Sequence, residues 1–540
     1  MNDHIEFSQA PEAETVLTPE AVEFVADLHR NFDGTRLDLL AARHIVQAKI
    51  EAGRIPDFDP ETAHIRAGNW TVTAPPADLL DRRTELTGPA DRATIVASLN
   101  SGTRVFMADF EDAFSPSWAN VVAGQAALIE AYQRTITCDG TSGSVIGVVD
   151  APATLMVRTR GWHLDEPNFT VDGRPVSAAL IDFGLCVFHN WRSALAHGSG
   201  TYFYLAKLEN HREAALWNDV FDFAETTLGM APGAIRATVL IEHILAAFEM
   251  DEILYVLRNH ATGLHTGNWD YLFSIIKTFR LDPAFVLPDR REIGVTVPFM
   301  RAFTELLVST CHRRGAHAIG GMSGVVPDDS DPQRTSAALR KVTVDKRREA
   351  GDGFDGTRIA NPDLVDVAVA EFDKVLGERP NQIERQRDDV YVTPGDLLSV
   401  RSTRGRISDE GLRINVRFAI SYIAEWLGGN GNVLIDDHIE DTAMAELCRS
   451  QIWTWIHHRA ELSNGLTVDS AMVTRIISEE TTALLAAAGP DEALLVDRAA
   501  ALVSELTIHD EFADFWTVES DPAGSGRSGR QIDLAASRRE

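Results

Sequence analysis

Between about residues 98 and 380, short apolar runs rich in β-branched and aromatic residues alternate with longer segments whose apolar positions recur at helical spacing. The short runs are TRVFMADF, ATLMVRTR, GTYFYLAKL, IRATVLIE, ATGLHTG, AHAIGG and the vicinity of FDGTRIANP. EAALWNDVFDFAETTLG and FMRAFTELLVSTCHRRG are helical candidates between them. Alternation with this period predicts a parallel sheet, and its extent fits a (β/α)8 TIM barrel. Seven strands are visible, and an eighth is expected near residues 290–297. Upstream, residues 1–95 read as a helical region in which Thr18-Pro19-Glu20 opens a helix and TGPAD (Thr87–Asp91) marks a turn. Downstream, INVRFAISYIAEWLGG, MAELCRSQIWTWIHHR and LVDRAAALVSELTI predict an all-helical C-terminal domain. The expected organisation is 1–95 helical, 96–385 barrel, 386–520 helical domain, and a disordered tail over 521–540.

Charges stand where several strand runs stop. Asp109, Glu111 and Asp112 follow RVFMA; Arg158 and Arg160 follow LMV; Glu242 follows VLI; Asp270 follows GLHTGNW. Charges at successive strand ends place chemistry at one rim of a barrel. Glu242 and Asp270 are about one βα unit apart, and two carboxylates on neighbouring strand ends can share Mg²⁺ with water and substrate filling the other positions. Each also has a structural reading, as a rim ion pair or a turn-forming Asx. Asp109 and Glu111 are candidates to hold metal-bound waters, or else helix-start acids. Arg158 and Arg160, two apart on a strand, face the same way and suit an anion or a buried ion pair with the DFED acids, Arg160 taking the structural part. Asp441 precedes a helix, either as an N-cap or as a base exposed at a domain junction.

Composition narrows the classes. The chain has 540 residues, 44% hydrophobic and 24% charged, with a formal net charge of −30. A phosphate backbone needs a positive footprint, so a nucleic-acid partner is not expected. No apolar run reaches the roughly 20 residues that span a bilayer. Cys138, Cys186, Cys311 and Cys448 are scattered, which suggests a reducing compartment and a cytoplasmic protein. The Lys346-Arg347-Arg348 run reads as a solvated basic turn, VVPDDSDPQRTS (325–336) as a mobile rim loop, and the amides of IGGMSG as a candidate small-anion cradle.

TGPADR, VFMADFEDAFSPSW, VRTRGWHLDEPN, the VFHNWRSALAHGSGTYFYLAKLENHREAALWNDVF stretch, GLHTGNWDYLFS, DGFDGTRIANP and HIEDTAMAELCRSQIWTWIHH, in this order, resemble malate synthases of the shorter, A type, from about residue 20 to 515. The resemblance implies a Mg²⁺-bearing barrel with an N-terminal helical clasp and a C-terminal helical domain. It implies condensation of glyoxylate with acetyl-CoA, the co-substrate, and hydrolysis of the thioester to malate. It places the catalytic arginine on Arg158, the metal ligands on Glu242 and Asp270, and the catalytic aspartate on Asp441. Five positions depart from the family pattern: His265 and Asn268 stand for Asn and Arg, Arg358 and Asn361 stand in a DGTWxAHP motif for Trp and His, and Ile439 stands for the Met that usually precedes Glu440-Asp441. A C–C lyase acting on malyl-CoA, or a non-catalytic scaffold, would use the same fold, and the oligomeric state is left open, a monomer included.

Overall fold

The computed structural model describes residues 4–140, 144–328, 330–403 and 405–519; the expected tail 521–540 lies outside them. Eight parallel strands close into a barrel in sequence order: β1 (Glu85–Pro89), β2 (Val105–Asp109), β3 (Thr154–Arg158), β4 (Tyr202–Leu205), β5 (Arg236–Ile241), β6 (Ala261–Thr266), β7 (His317–Ser323) and β8 (Gly356–Ile359). β1 pairs with both β2 and β8, which shuts the ring.

The eighth strand is not near 290–297, where the chain forms only one 3-10 turn at Arg290–Glu292. It is β1, in a segment whose Gly-Pro ending predicts a turn. Pro89 is the last residue of the strand, where a missing N–H costs little. The helical region expected over 1–95 therefore contains the first barrel strand.

The interior is packed rather than open. Leu79, Val105, Met107, Met156, Tyr202, Tyr204, Ala206 and Leu240 form a buried cluster. Arg82, fully buried, crosses beside them and donates to Glu85 at 2.6 Å, Tyr204 Oη at 2.8 Å and Thr238 Oγ1 at 2.9 Å. Each donor finds an acceptor, as a buried guanidinium requires.

A long helix, α1 (Pro19–Glu51), lies across the barrel helices, its N-terminus capped by Thr18 with Pro at the first helical position. Its Arg36 donates to Asp33, to the Trp162 carbonyl at 2.8 Å and to Asp165 at 2.7 Å. Ile5–Phe7 adds an antiparallel strand to Asp165–Val171. These contacts make the N-terminal segment a strap.

At the other end, α4 (Asp409–Leu427), α5 (Thr442–His457), α6 (Ser470–Leu485) and α7 (Pro490–Ile508) pack on one another. Barrel helices α2 (Asn268–Thr278) and α3 (Pro332–Asp352) complete the elements that matter for the site. α2 packs against α5. The hairpin Val433–Ile435/His438–Glu440 meets the end of β7: Ile439 N donates to Gly324 O at 2.7 Å and Val326 N to Asp437 O at 2.8 Å.

Two expectations in this region change. Residues 332–336 are not loop but the first turn of α3. Lys346 is not solvated. It is fully buried on α3, donating to Gly321 O at 2.9 Å and paired with Glu349 at 3.3 Å. The Gly321 amide does cradle an anion, but that anion is the Glu349 carboxylate at 3.1 Å. Among the described residues no helix is long and apolar enough to cross a membrane.

Two glycines separate tight from open backbone. A Cβ on Gly356 would lie 1.7 Å from the Arg82 carbonyl oxygen, whereas one on Gly351, in α3, meets nothing within 4 Å. Gly351→Ala should raise the melting midpoint, gaining up to about 1 kcal/mol of helix propensity. Gly356→Ala should lower it sharply or abolish soluble protein, because backbone on both sides must move. Thermal melts of the two variants side by side check this.

Candidate active site

The strand-end charges converge at the C-terminal rim. Asp109 ends β2 and Arg158 ends β3, and the two are partners in the strand register. Glu242 follows β5 directly, and Asp270 sits in the first turn of α2, just after β6. One cavity is lined by Thr87, Asp112, Arg158, Glu242, His265, Asn268, Asp270, Arg358 and Asp441, among others.

Asp112, Glu242 and Asp270 each bring a carboxylate oxygen within 4.8 Å of the other two, and all three are buried. Glu242 Oε2 and Asp270 Oδ1 have no hydrogen-bond partner. The Lys207 ammonium lies among them, 2.8 Å from Asp270, 3.0 Å from Asp112 and 3.9 Å from Glu242. A stand-in cation, orphaned carboxylate oxygens and an all-oxygen donor set together fit a hard divalent ion.

The electrostatics agree. Burial pushes the Asp270 carboxyl well above its ordinary range; Lys207 opposes this, and the Asp112 and Glu242 charges add to it. Glu242 is raised mainly by burial too. Asp112 goes the other way: burial is outweighed by Lys207 and Arg158, which hold it low. Burial disfavours the Lys207 charge, but Asp112, Asp270 and Glu242 overcome it and keep the ammonium protonated. Lys207 and Arg158 together offset the charge of Asp112, while Asp270 and Glu242 stay raised by burial and by their crowding.

Lys207 is placed by strained backbone. Its φ is +57°, in the left-handed region that side chains seldom adopt. Its N–H donates to Glu242 Oε1, and its carbonyl accepts from Arg43 of α1 at 2.8 Å. The N-terminal strap thus reaches the backbone that orients a candidate ligand.

Arg158 is buried and pinned. Its Nε donates to Asp109 at 2.7 Å, its Nη1 to Asp112 at 2.8 Å, and its Nη2 to Asp109. Of five N–H groups, three are used. Asp109 is itself fixed by the Glu111 and Ala113 amides at 2.9 and 2.8 Å. Glu111 accepts from Gly161 N at 2.5 Å, and burial raises its carboxyl to about 8.

Asp441 stands at the N-cap position of α5 yet caps no amide, and its Oδ1 has no partner. The adjacent Thr442 N donates to the Asp112 carbonyl at 3.1 Å, and Tyr422 Oη donates to Gly431 O at 2.8 Å. Those bonds hold Asp441 over the rim. Burial, then the negative charge of Asp112, raises its carboxyl to about 7.

The structure therefore brings Arg158, Glu242, Asp270 and Asp441 to one cavity. Of the candidates for holding metal-bound water, Asp109 is committed to Arg158 and two amides, and Glu111 to Gly161. Arg160 is occupied elsewhere, by Asp182 at 2.8 Å and Glu166 at 2.9 Å. Asn361 binds the Val325 carbonyl at 3.2 Å and caps Asp363. Asp112, not Asp109 or Glu111, joins the carboxylate cluster. Lys207 was missed, although it too is a charge just past a strand, in FYLAKL.

Comparison with known families now bears on the chain. The models "Malate synthase, N-terminal domain", "Malate synthase, TIM barrel domain" and "Malate synthase, C-terminal" match residues 6–64, 154–400 and 406–521. The malate synthase of Streptomyces clavuligerus is 52% identical over 516 residues, covering 94% of this chain and 95% of that one. The Myxococcus xanthus malate synthase is 48% identical, with 94% of each chain covered. Malate synthase A of Escherichia coli is 44% identical, covering 93% of this chain and 94% of that one. With such identity along nearly its whole length, this chain belongs to the malate synthase family.

Proposed function

We propose that this chain condenses acetyl-CoA with glyoxylate and hydrolyses the resulting thioester to malate and CoA. The observation that carries the proposal is a buried carboxylate cluster beside a pinned guanidinium and an unpartnered carboxylate in one cavity. Glu242, Asp270 and Asp112 would hold Mg²⁺. When bound, the ion supplies Lewis-acid polarisation of the aldehyde carbonyl.

The chain's own groups do the rest. Asp441 removes a methyl proton from acetyl-CoA. The thioester α-proton is weakly acidic, so the enolate must be stabilised as it forms. Arg158 keeps two N–H groups free of its acid partners and presents them to the developing oxyanion. Preorganised donors act strongly where water is excluded. The enolate carbon then adds to the aldehyde. All four cysteines are free, which supports a cytoplasmic location. The lyase alternative shares this chemistry and differs in products.

Incubation with glyoxylate, acetyl-CoA and magnesium should release free thiol and malate, and should release neither when any one component is omitted. Formation of glyoxylate and acetyl-CoA from malyl-CoA, with no free CoA, would instead mark a lyase.

Asp441→Asn should still bind glyoxylate and magnesium but lose exchange of acetyl-CoA methyl protons with solvent. Arg158→Lys should reduce kcat by about 10²- to 10³-fold, the usual cost of losing one oxyanion donor. Solvent-exchange NMR and steady-state kinetics check the pair, and normal turnover in either variant removes that residue from its role.

Magnesium binding should release protons. Burial raises the Asp270 and Glu242 carboxyls, so protons compete with a cation for them. Affinity should therefore rise with pH and weaken as pH falls. Calorimetry in buffers of different ionisation enthalpy measures the proton count, and a pH-independent affinity would contradict it.

A further inference from the structure

We propose that Arg358 recognises the carboxylate of the acceptor acid and is a specificity-determining residue of the cavity. The inference rests on the synthase reading for the identity of the acceptor, but not for the recognition itself.

Arg158 is bound by Asp109 and Asp112, Lys207 by Asp112 and Asp270, and Arg160 by Asp182 and Glu166. Arg358 differs. It is 3% exposed, lines the same cavity, and its Nε and Nη2 have no hydrogen-bond partner among the described residues. The acid beside it in the strand register, Glu85, is already taken by Arg82 at 2.6 Å and by Tyr204 Oη. What Arg358 does contact is the face of Tyr204, with its guanidinium carbon 4.5 Å from the ring centroid. A ring face steadies the guanidinium plane but accepts none of its in-plane hydrogen bonds.

A buried guanidinium without an anion is costly, and such a group persists when a ligand supplies the missing charge. Arginine's planar fork suits a carboxylate held by two parallel bonds. The nearby neutral groups agree. Both ring nitrogens of His265 and the Thr87 hydroxyl lack partners and line the cavity. Burial, together with the charges of Arg358 and Arg158, holds the imidazole well below its ordinary pKa, so it is neutral and adds no competing charge. Three carboxylates line the same cavity, clustered on one another and on Lys207, and need a cation of their own. The cavity therefore has an acidic part for a metal and a cationic part for an organic anion. An acceptor with a carboxylate next to its carbonyl spans both, and a neutral aldehyde does not.

The test is a comparison of Arg358→Met and Arg358→Lys with the parent protein on glyoxylate and on an uncharged aldehyde, glycolaldehyde. Arg358→Met should lose about 10- to 100-fold in kcat/KM for glyoxylate, mostly through KM, the range expected for one hydrogen bond to a charged group. Arg358→Lys should recover part of it. Turnover of glycolaldehyde, however slow, should be unchanged or improved. Calorimetric titration of glyoxylate into the magnesium form without acetyl-CoA should show the same ranking, which reads recognition without turnover. An equal loss on both aldehydes, or equal glyoxylate affinity in parent and Arg358→Met, overturns the proposal. If Arg358→Met fails to fold, Arg358→Gln carries the same comparison. Arg358-dependent glyoxylate binding in a protein that makes no malate would sink the synthase reading and leave the recognition role standing.

Discussion

Three carboxylates crowded into a water-poor barrel mouth are the constraint around which the rest of this molecule is arranged. Asp112, Glu242 and Asp270 come from three different strand ends, and their proximity is unfavourable unless positive charge lies among them. Lys207 and Arg158 supply part of it, and a divalent ion would supply more. The surrounding structure holds these groups together against their repulsion. Arg158 braces Asp109 and Asp112, and the Lys207 amide fixes Glu242. Arg43, reaching from the N-terminal strap, holds the Lys207 carbonyl.

The same logic explains the domain arrangement. A barrel rim alone is open to water, and a charged constellation there would be screened. The C-terminal helices cover it. Their attachment is specific: Thr442 N donates to the Asp112 carbonyl at 3.1 Å, Tyr422 Oη lies 3.1 Å from the same oxygen, and Trp426 Nε1 reaches the Phe114 carbonyl at 3.2 Å. Asp441 thus enters the cavity from outside the barrel, with its charge disfavoured by burial and by Asp112. The C-terminal helices contribute a buried carboxylate, and the barrel contributes the guanidinium and ammonium that face the acids.

Much of this was legible in the residues. Apolar runs ending in charge located β2, β3 and β5, and with them Asp109, Arg158 and Glu242. The exceptions have physical causes. β1 ends in Gly-Pro, so local turn chemistry hid a strand that only barrel closure justifies. Lys346 sits in a basic run, and nothing local reveals that its helix turns that one residue toward Gly321 and Glu349. Asp441 has the sequence context of a helix cap, and only its empty hydrogen-bonding ledger in three dimensions distinguishes it. Arg358 was visible as a departure from the family pattern, but its lack of an acid partner has two causes: barrel closure sets Glu85 beside it, and Glu85 is already claimed by Arg82 three residues away.

A crystal structure of the protein soaked with Mn²⁺, located by its anomalous signal, tests whether the carboxylate cluster takes a cation where the Lys207 ammonium stands. One strong peak bounded by Glu242, Asp270 and Asp112 is expected, with the Lys207 ammonium displaced from between Asp112 and Asp270. A peak elsewhere, or no peak while Lys207 still bridges those carboxylates at saturating metal, would contradict it.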